Sequence, residues 1–67
     1  MDIGTALKQQ RQRIGLSQSQ LAKETGIKQQ TISRWENNTH KPDIEQCVIL
    51  AKYYGITLEE LIDVDLP

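Results

Sequence analysis

Residues Gln18–Asn37, QSQLAKETGIKQQTISRWEN, decide the reading of this 67-residue chain. Leu21 and Ala22 form an apolar seam on one short helix. Gly26 falls where a sharp reversal needs a backbone that tolerates positive φ, and Ile27, Ile32 and Trp35 carry the seam onward. Two short helices joined by a turn of about three or four residues make a helix-turn-helix pattern. Ala22 sits where the two helices cross closely and a longer side chain would push them apart. Ser17 followed by Gln20 is a capping box, in which hydroxyl and amide satisfy two otherwise orphan backbone donors at the start of the first helix.

The second helix divides by face. At about 100° per residue, Gln29, Ser33, Asn37, Gln30 and Arg34 occupy one arc of roughly 140°, while Ile32 and Trp35 point the other way. Most polar helical faces are simply solvated. Here three amides, a hydroxyl and a guanidinium follow a tight turn, and two adjacent glutamines open the helix. Gln pairs bidentately with adenine and Arg with guanine in the major groove, so this face has the chemistry for reading base edges.

Working outward, Arg11, GLSQSQLA, TISRWEN, Pro42, LAKYYGIT and LEEL together resemble the helix-turn-helix domain of the Cro/CI type, also called the XRE family. The resemblance runs from Leu7 to Leu61, with the helix-turn-helix unit at residues 18–37 and a tail at 62–67. KQQTI is similar to the recognition helix of lambdoid phage repressors. The fold this implies is all-α, a compact five-helix lambda-repressor-like DNA-binding domain. By the same resemblance Gln18 contacts a phosphate and supports the edge contacts. Gln29 and Gln30 read bases, and Ser33 and Arg34 read bases or the flanking backbone. Arg11 and Glu36 take positions that often form a largely buried salt bridge in this family, which makes them structural. Lys28 stands where many relatives carry a capping Ser or Thr. We read it as kept for a nearby phosphate, with Thr31 supplying local hydrogen bonding, while Asn37, Thr39 and Lys41 join the backbone-positioning set. Thr25, at a usually more apolar position, packs its methyl and bonds its hydroxyl back into its helix.

The flanks build the support. The spacing predicts a first helix from about Asp2 to Ile14, with Ile3, Leu7 and Ile14 on one stripe and Gly15 ending it. Asn38 is one of the few residues besides Gly that tolerate the left-handed conformation at a helix end, and 38–42 reads as a loop. Asp43 with Gln46 and Thr57 with Glu60 give two more capping boxes, opening a fourth helix closed by Gly55 and a short fifth with Leu58, Leu61 and Ile62. In the fourth, Ile44, Cys47, Val48, Leu50, Ala51 and Tyr54 are expected to face inward. Ile49 and Tyr53 fall on its other side. With Val64 and Leu66 they form a candidate isologous dimer surface, or else other helices wrap them.

The net charge of −1 hides a polarity. Residues 1–42 carry seven basic and three acidic side chains, and residues 43–67 one basic and six acidic. The helix-turn-helix lies in the basic half, which suits a phosphate partner, and the neutral total argues against a sequence-blind nucleic-acid binder. One histidine, His40, in a loop and one cysteine, Cys47, on an apolar face assemble neither a metal set nor a nucleophile with its base. The chain therefore reads as no enzyme and as needing no cofactor or metal. No apolar run approaches membrane-spanning length and the start is unlike a signal peptide, so the expected location is cytoplasmic. These features together predict a sequence-specific regulator binding a double-stranded pseudo-palindromic operator as a homodimer, and acting as a repressor. Two other readings stand beside it: the antitoxin of a toxin–antitoxin pair, and a helix-turn-helix adaptor that bridges proteins. The chain is also compatible with being the DNA-binding part of a larger sensor.

Overall fold

Four side-chain caps set where the helices start. In the computed structural model, which describes residues 2–62, Asp2 accepts the Thr5 N–H and opens α1 (Ile3–Arg13). Ser17 and Gln20 close both arms of a capping box on α2 (Gln18–Thr25), and Asp43 and Gln46 do the same for α4 (Ile44–Tyr54). Thr57 and Glu60 exchange the same pair of bonds at α5 (Leu58–Ile62), at 2.9 and 3.1 Å. The exception is α3 (Gln29–Glu36), which starts at Lys28 with no side-chain cap. These five helices and their loops make up the described chain.

Gly15, Gly26 and Asn38 carry positive φ (74°, 78° and 60°) at the ends of the first three helices, and Gly55 does so after α4. Thr25 lends support from inside α2, its hydroxyl donating to the Leu21 carbonyl at 2.8 Å and accepting the Ile27 N–H at 3.3 Å. The methyl-and-hydroxyl role expected of it is met in its polar half.

The core gathers Leu7 of α1, Leu21 of α2, Ile32 and Trp35 of α3, Cys47, Leu50 and Ala51 of α4, and Leu61 of α5. Ile32, Leu50 and Leu61 are fully enclosed, and burying each such side chain is worth about 2 kcal/mol. α3 packs on α1 and α2, while α5 packs on α1 and α4. The Gln10 carboxamide ties α1 to α5 by donating to the Glu60 carbonyl at 3.1 Å.

Two sequence expectations fail here. Ile14 is 46 % exposed and Ile44 66 % exposed, although the sequence pattern puts both on stripes expected to face inward. Periodicity gives a side chain's direction but not whether a neighbour lies at that level. Ile14 is the C-cap of α1, past the last packed turn, and Ile44, the first residue of α4, falls at the edge of the arc that Cys47, Leu50 and Ala51 bury. Val48 is half-buried. Ile49 and Tyr53 are 45 % and 37 % exposed, with Glu24 of α2 beside the Tyr53 hydroxyl, so the face is only partly covered. Val64 and Leu66 lie outside the described residues.

Candidate nucleic-acid interface

α3 is anchored by its apolar and acidic side. Ile32, Trp35 and Glu36 are buried, which turns Gln29, Gln30 and Arg34 fully outward and leaves Ser33 half-exposed beside them. The eight-residue helix is about 12 Å long and, with its side chains, about 10–12 Å across, a width that a groove about 12 Å wide admits. Asn37 donates from its side chain to the Ser33 hydroxyl at 3.3 Å, which orients both groups on the outward face.

The residues expected to touch a backbone bracket this face. Lys28 is exposed at the open start of α3 and gives it no hydrogen bond, so its ammonium is uncommitted. Thr31, half-buried one turn on, donates its backbone N–H to the Lys28 carbonyl at 3.0 Å. At the other end the Thr39 and His40 N–H groups both donate to the Arg34 carbonyl, at 2.9 and 3.3 Å. These two hydrogen bonds fold the start of the loop back on the helix, and Thr39 and Lys41 are both exposed.

Gln18 has a partner that its sequence position did not announce. Its side-chain Nε2 donates to Glu36 Oε1 at 3.1 Å. Glu36 also takes a forked pair of bonds from Arg11, Nε to Oε2 and Nη2 to Oε1, both 2.8 Å, and Arg11 Nη1 reaches the Leu16 carbonyl at 2.8 Å. The Arg11 and Glu36 side chains are only 10 % and 3 % exposed. The bridge implied by resemblance is thus present and buried, and it is a three-residue network joining α1, α2 and α3. The forked bond to Glu36 raises the Arg11 pKa above its ordinary value against the opposing effect of burial. With one amide N–H held by Glu36, Gln18 keeps its carbonyl oxygen and second N–H for a ligand.

Tyr54 of α4 lies against the same network. Burial, reinforced by the Glu36 charge, pushes its phenol up to about 12, and its hydroxyl is buried without a hydrogen-bond partner. Cys47 is buried, and that burial pushes its thiol pKa up, away from the thiolate a nucleophile needs.

A second tie went unseen in the sequence. The Asn38 side-chain oxygen accepts the Gly4 N–H at 3.1 Å, joining the end of α3 to the first turn of α1. A Cβ on Gly4 would stand 2.5 Å from the Trp35 carbonyl oxygen, so the close approach requires glycine. The available signal was an isolated Gly in a helical first turn.

The charge polarity follows the helices. α1 to α3 and the 37–41 loop hold the basic excess, and α4 with its N-cap and α5 carry the acidic residues Asp43, Glu45, Glu59 and Glu60. Among the described residues no helix is long and apolar enough to cross a membrane.

With this geometry, comparison with known proteins is informative. The family pattern described as Helix-turn-helix matches residues 7–61. The chain is 31% identical over 62 residues to the HTH-type transcriptional activator BcrR of Enterococcus faecalis, covering 92% of this chain and 30% of that protein. It is 56% identical over 36 residues to Antitoxin HipB of Escherichia coli strain K12, covering 54% of this chain and 41% of HipB. The chain thus spans less than half the length of these curated relatives.

Proposed function

Because the chain belongs to the XRE-type helix-turn-helix family, we propose that it is a sequence-specific transcriptional regulator that inserts α3 into the major groove of double-stranded DNA. The observation that carries this reading is the division of α3: Ile32, Trp35 and Glu36 lock it to the body while Gln29, Gln30 and Arg34 stand free of it. Gln29 and Gln30 supply the paired donor and acceptor that adenine requires, and Arg34 the fork that guanine requires. Ser33 extends the readout or contacts the backbone beside it. Gln18, Lys28, Thr31, Asn37, Thr39 and Lys41 hold the phosphates and fix the angle of approach.

Binding is as a two-fold dimer. Half-sites one turn of duplex apart lie about 34–36 Å from centre to centre. The body measures 32 × 25 × 22 Å, so two copies on adjacent half-sites bring their side chains within reach of one another. Occupying a promoter in this way excludes polymerase without further contacts, which makes repression the mode of action. Selection of bound sequences from random 30-base-pair duplexes at near-physiological salt tests the reading. A two-fold motif with half-sites about one turn apart supports it. Absence of any motif refutes it and moves a protein-bridging role to the front.

A second reading draws on the identity with HipB, a protein named as an antitoxin. In it the chain binds a protein toxin in addition to DNA. Co-purification with the product of a neighbouring gene, followed by release of growth arrest when both are expressed, tests that reading.

A further inference from the structure

The exposed half of α4 is unlike a solvated face. At about 100° per residue, Ile44, Val48, Lys52, Glu45, Ile49 and Tyr53 follow one another across roughly 180° of the helix. Four of the six are apolar, and Ile44, Ile49 and Tyr53 are 66 %, 45 % and 37 % exposed. The Tyr53 ring is set edge-on against Tyr54, with centroids 5.4 Å apart, and Glu24 of α2 stands beside its hydroxyl, so the ring lies at the border of the face. The two charges, Glu45 and Lys52, are both exposed and lie on nearly the same line of the helix. They are seven residues apart, about 10.5 Å, too far to pair with each other. Among the described residues the ion pair found is Arg11–Glu36, so neither Glu45 nor Lys52 has an ion-pair partner there.

That arrangement is self-complementary. If two copies of α4 pack antiparallel about a two-fold axis between Val48 and Ile49, Glu45 of each copy faces Lys52 of the other, and the apolar residues lie along the seam. A parallel packing would set like charges opposite one another. We propose that the exposed face of α4 is the homodimer interface, formed as an antiparallel α4–α4 pair with two reciprocal Glu45–Lys52 contacts. This deepens the proposed dimeric regulator and rests on that reading. A helix of 11 residues is about 16 Å long, and a seam of that length falls in the small, transient class of interfaces below about 1,200 Å². The free chain therefore dimerises weakly, and simultaneous engagement of two half-sites raises its apparent affinity.

An acidic first turn and a basic last turn also suit the helix dipole, so the test must read association and not stability. Sedimentation equilibrium of the free full chain, up to about 1 mM, is compared for wild type, Glu45→Lys, Lys52→Glu and an equimolar mixture of the two variants. Either reversal alone turns two attractions into two repulsions and weakens association by about tenfold. The mixture restores it, because the lysine-bearing copy meets the glutamate-bearing one. Ile49→Glu, which sets two carboxylates at the axis, abolishes it. Circular dichroism melts check that all these surface variants fold. A wild-type dimer that neither reversal weakens, or a mixture no better than either variant, overturns the α4 interface and leaves the dimeric regulator standing with another contact surface. A chain that stays monomeric to about 1 mM overturns the interface too. The selected DNA motif then separates the cases, because a single unrepeated half-site refutes the dimeric reading itself.

Discussion

Replacing Glu36 by Ala removes the acceptor for three hydrogen bonds, two from Arg11 at 2.8 Å and one from Gln18 at 3.1 Å. Arg11 is left with the Leu16 carbonyl as its one described partner and with a guanidinium whose side chain is 10 % exposed. Breaking a buried pair from one side costs about 3–5 kcal/mol, because the remaining charge is neither solvated nor compensated. A domain of this size has about 3–10 kcal/mol of stability in total. At about 4–8 °C per kcal/mol, the melting temperature falls by at least about 12 °C. Thermal melts followed by circular dichroism at neutral pH measure this. The control is the double variant Arg11→Met/Glu36→Leu, which removes both charges and recovers most of the loss, since apolar replacements of a buried pair are often neutral or stabilising. An unchanged melting temperature in Glu36→Ala, or a double variant as unstable as the single one, refutes the account. The double variant also releases Gln18 from its acceptor, so it isolates that glutamine's orientation as a factor in DNA affinity.

Gln29→Ala relaxes preference at one base pair by about 1–3 kcal/mol in competition binding, whereas uniform weakening at every position would place Gln29 on a phosphate. Lys28→Ala lowers the slope of log affinity against log salt by about 0.9, and an unchanged slope would make Lys28 an idle surface charge. Gly4→Ala destabilises by about 1–3 kcal/mol despite alanine's better helix propensity, because its Cβ meets the Trp35 carbonyl at 2.5 Å; a rise in denaturant midpoint would refute this. The Tyr54 phenol is pushed from its ordinary 10 up to about 12, so its contribution is complete below pH 10 and is lost as pH climbs towards 12. Tyr54→Phe therefore flattens the alkaline fall in melting temperature and costs little at pH 7, since the hydroxyl it removes has no partner.

The fold was largely legible because its boundaries are written in local chemistry. Ser17/Gln20, Asp43/Gln46 and Thr57/Glu60 each make both capping bonds, and Gly26 and Asn38 take the positive φ that a helix end requires. The buried Arg11–Glu36 bridge was legible by resemblance only, since nothing in the spacing of residues 25 apart declares a contact. The candidate site was readable as a face but not as a network. Gln18 holding Glu36 and Asn38 holding Gly4 are contacts between elements, and they depend on how helices sit on one another. Ile14 shows the same limit from the other side, because a correct angular stripe runs past the end of the neighbour that would have covered it, whereas Ile44 lies at the edge of the arc that Leu50, Cys47 and Ala51 bury.

The two ends of α3 are held very differently. Its last turn is clamped, with Glu36 locked to α1 and α2 and the residue that follows Asn37 hooked onto Gly4, whereas its first turn rests on Lys28 without a side-chain cap. The helix is in effect a cantilever, fixed by side chains at the end that sets its direction and without a side-chain cap at the tip that carries Gln29 and Gln30. Amide exchange should accordingly slow along its length from tip to root. The anchoring that aims it is already made in the free protein, so on the proposed reading DNA meets a fixed root and leaves the exposed side chains of Gln29, Gln30 and Arg34 to be ordered on binding.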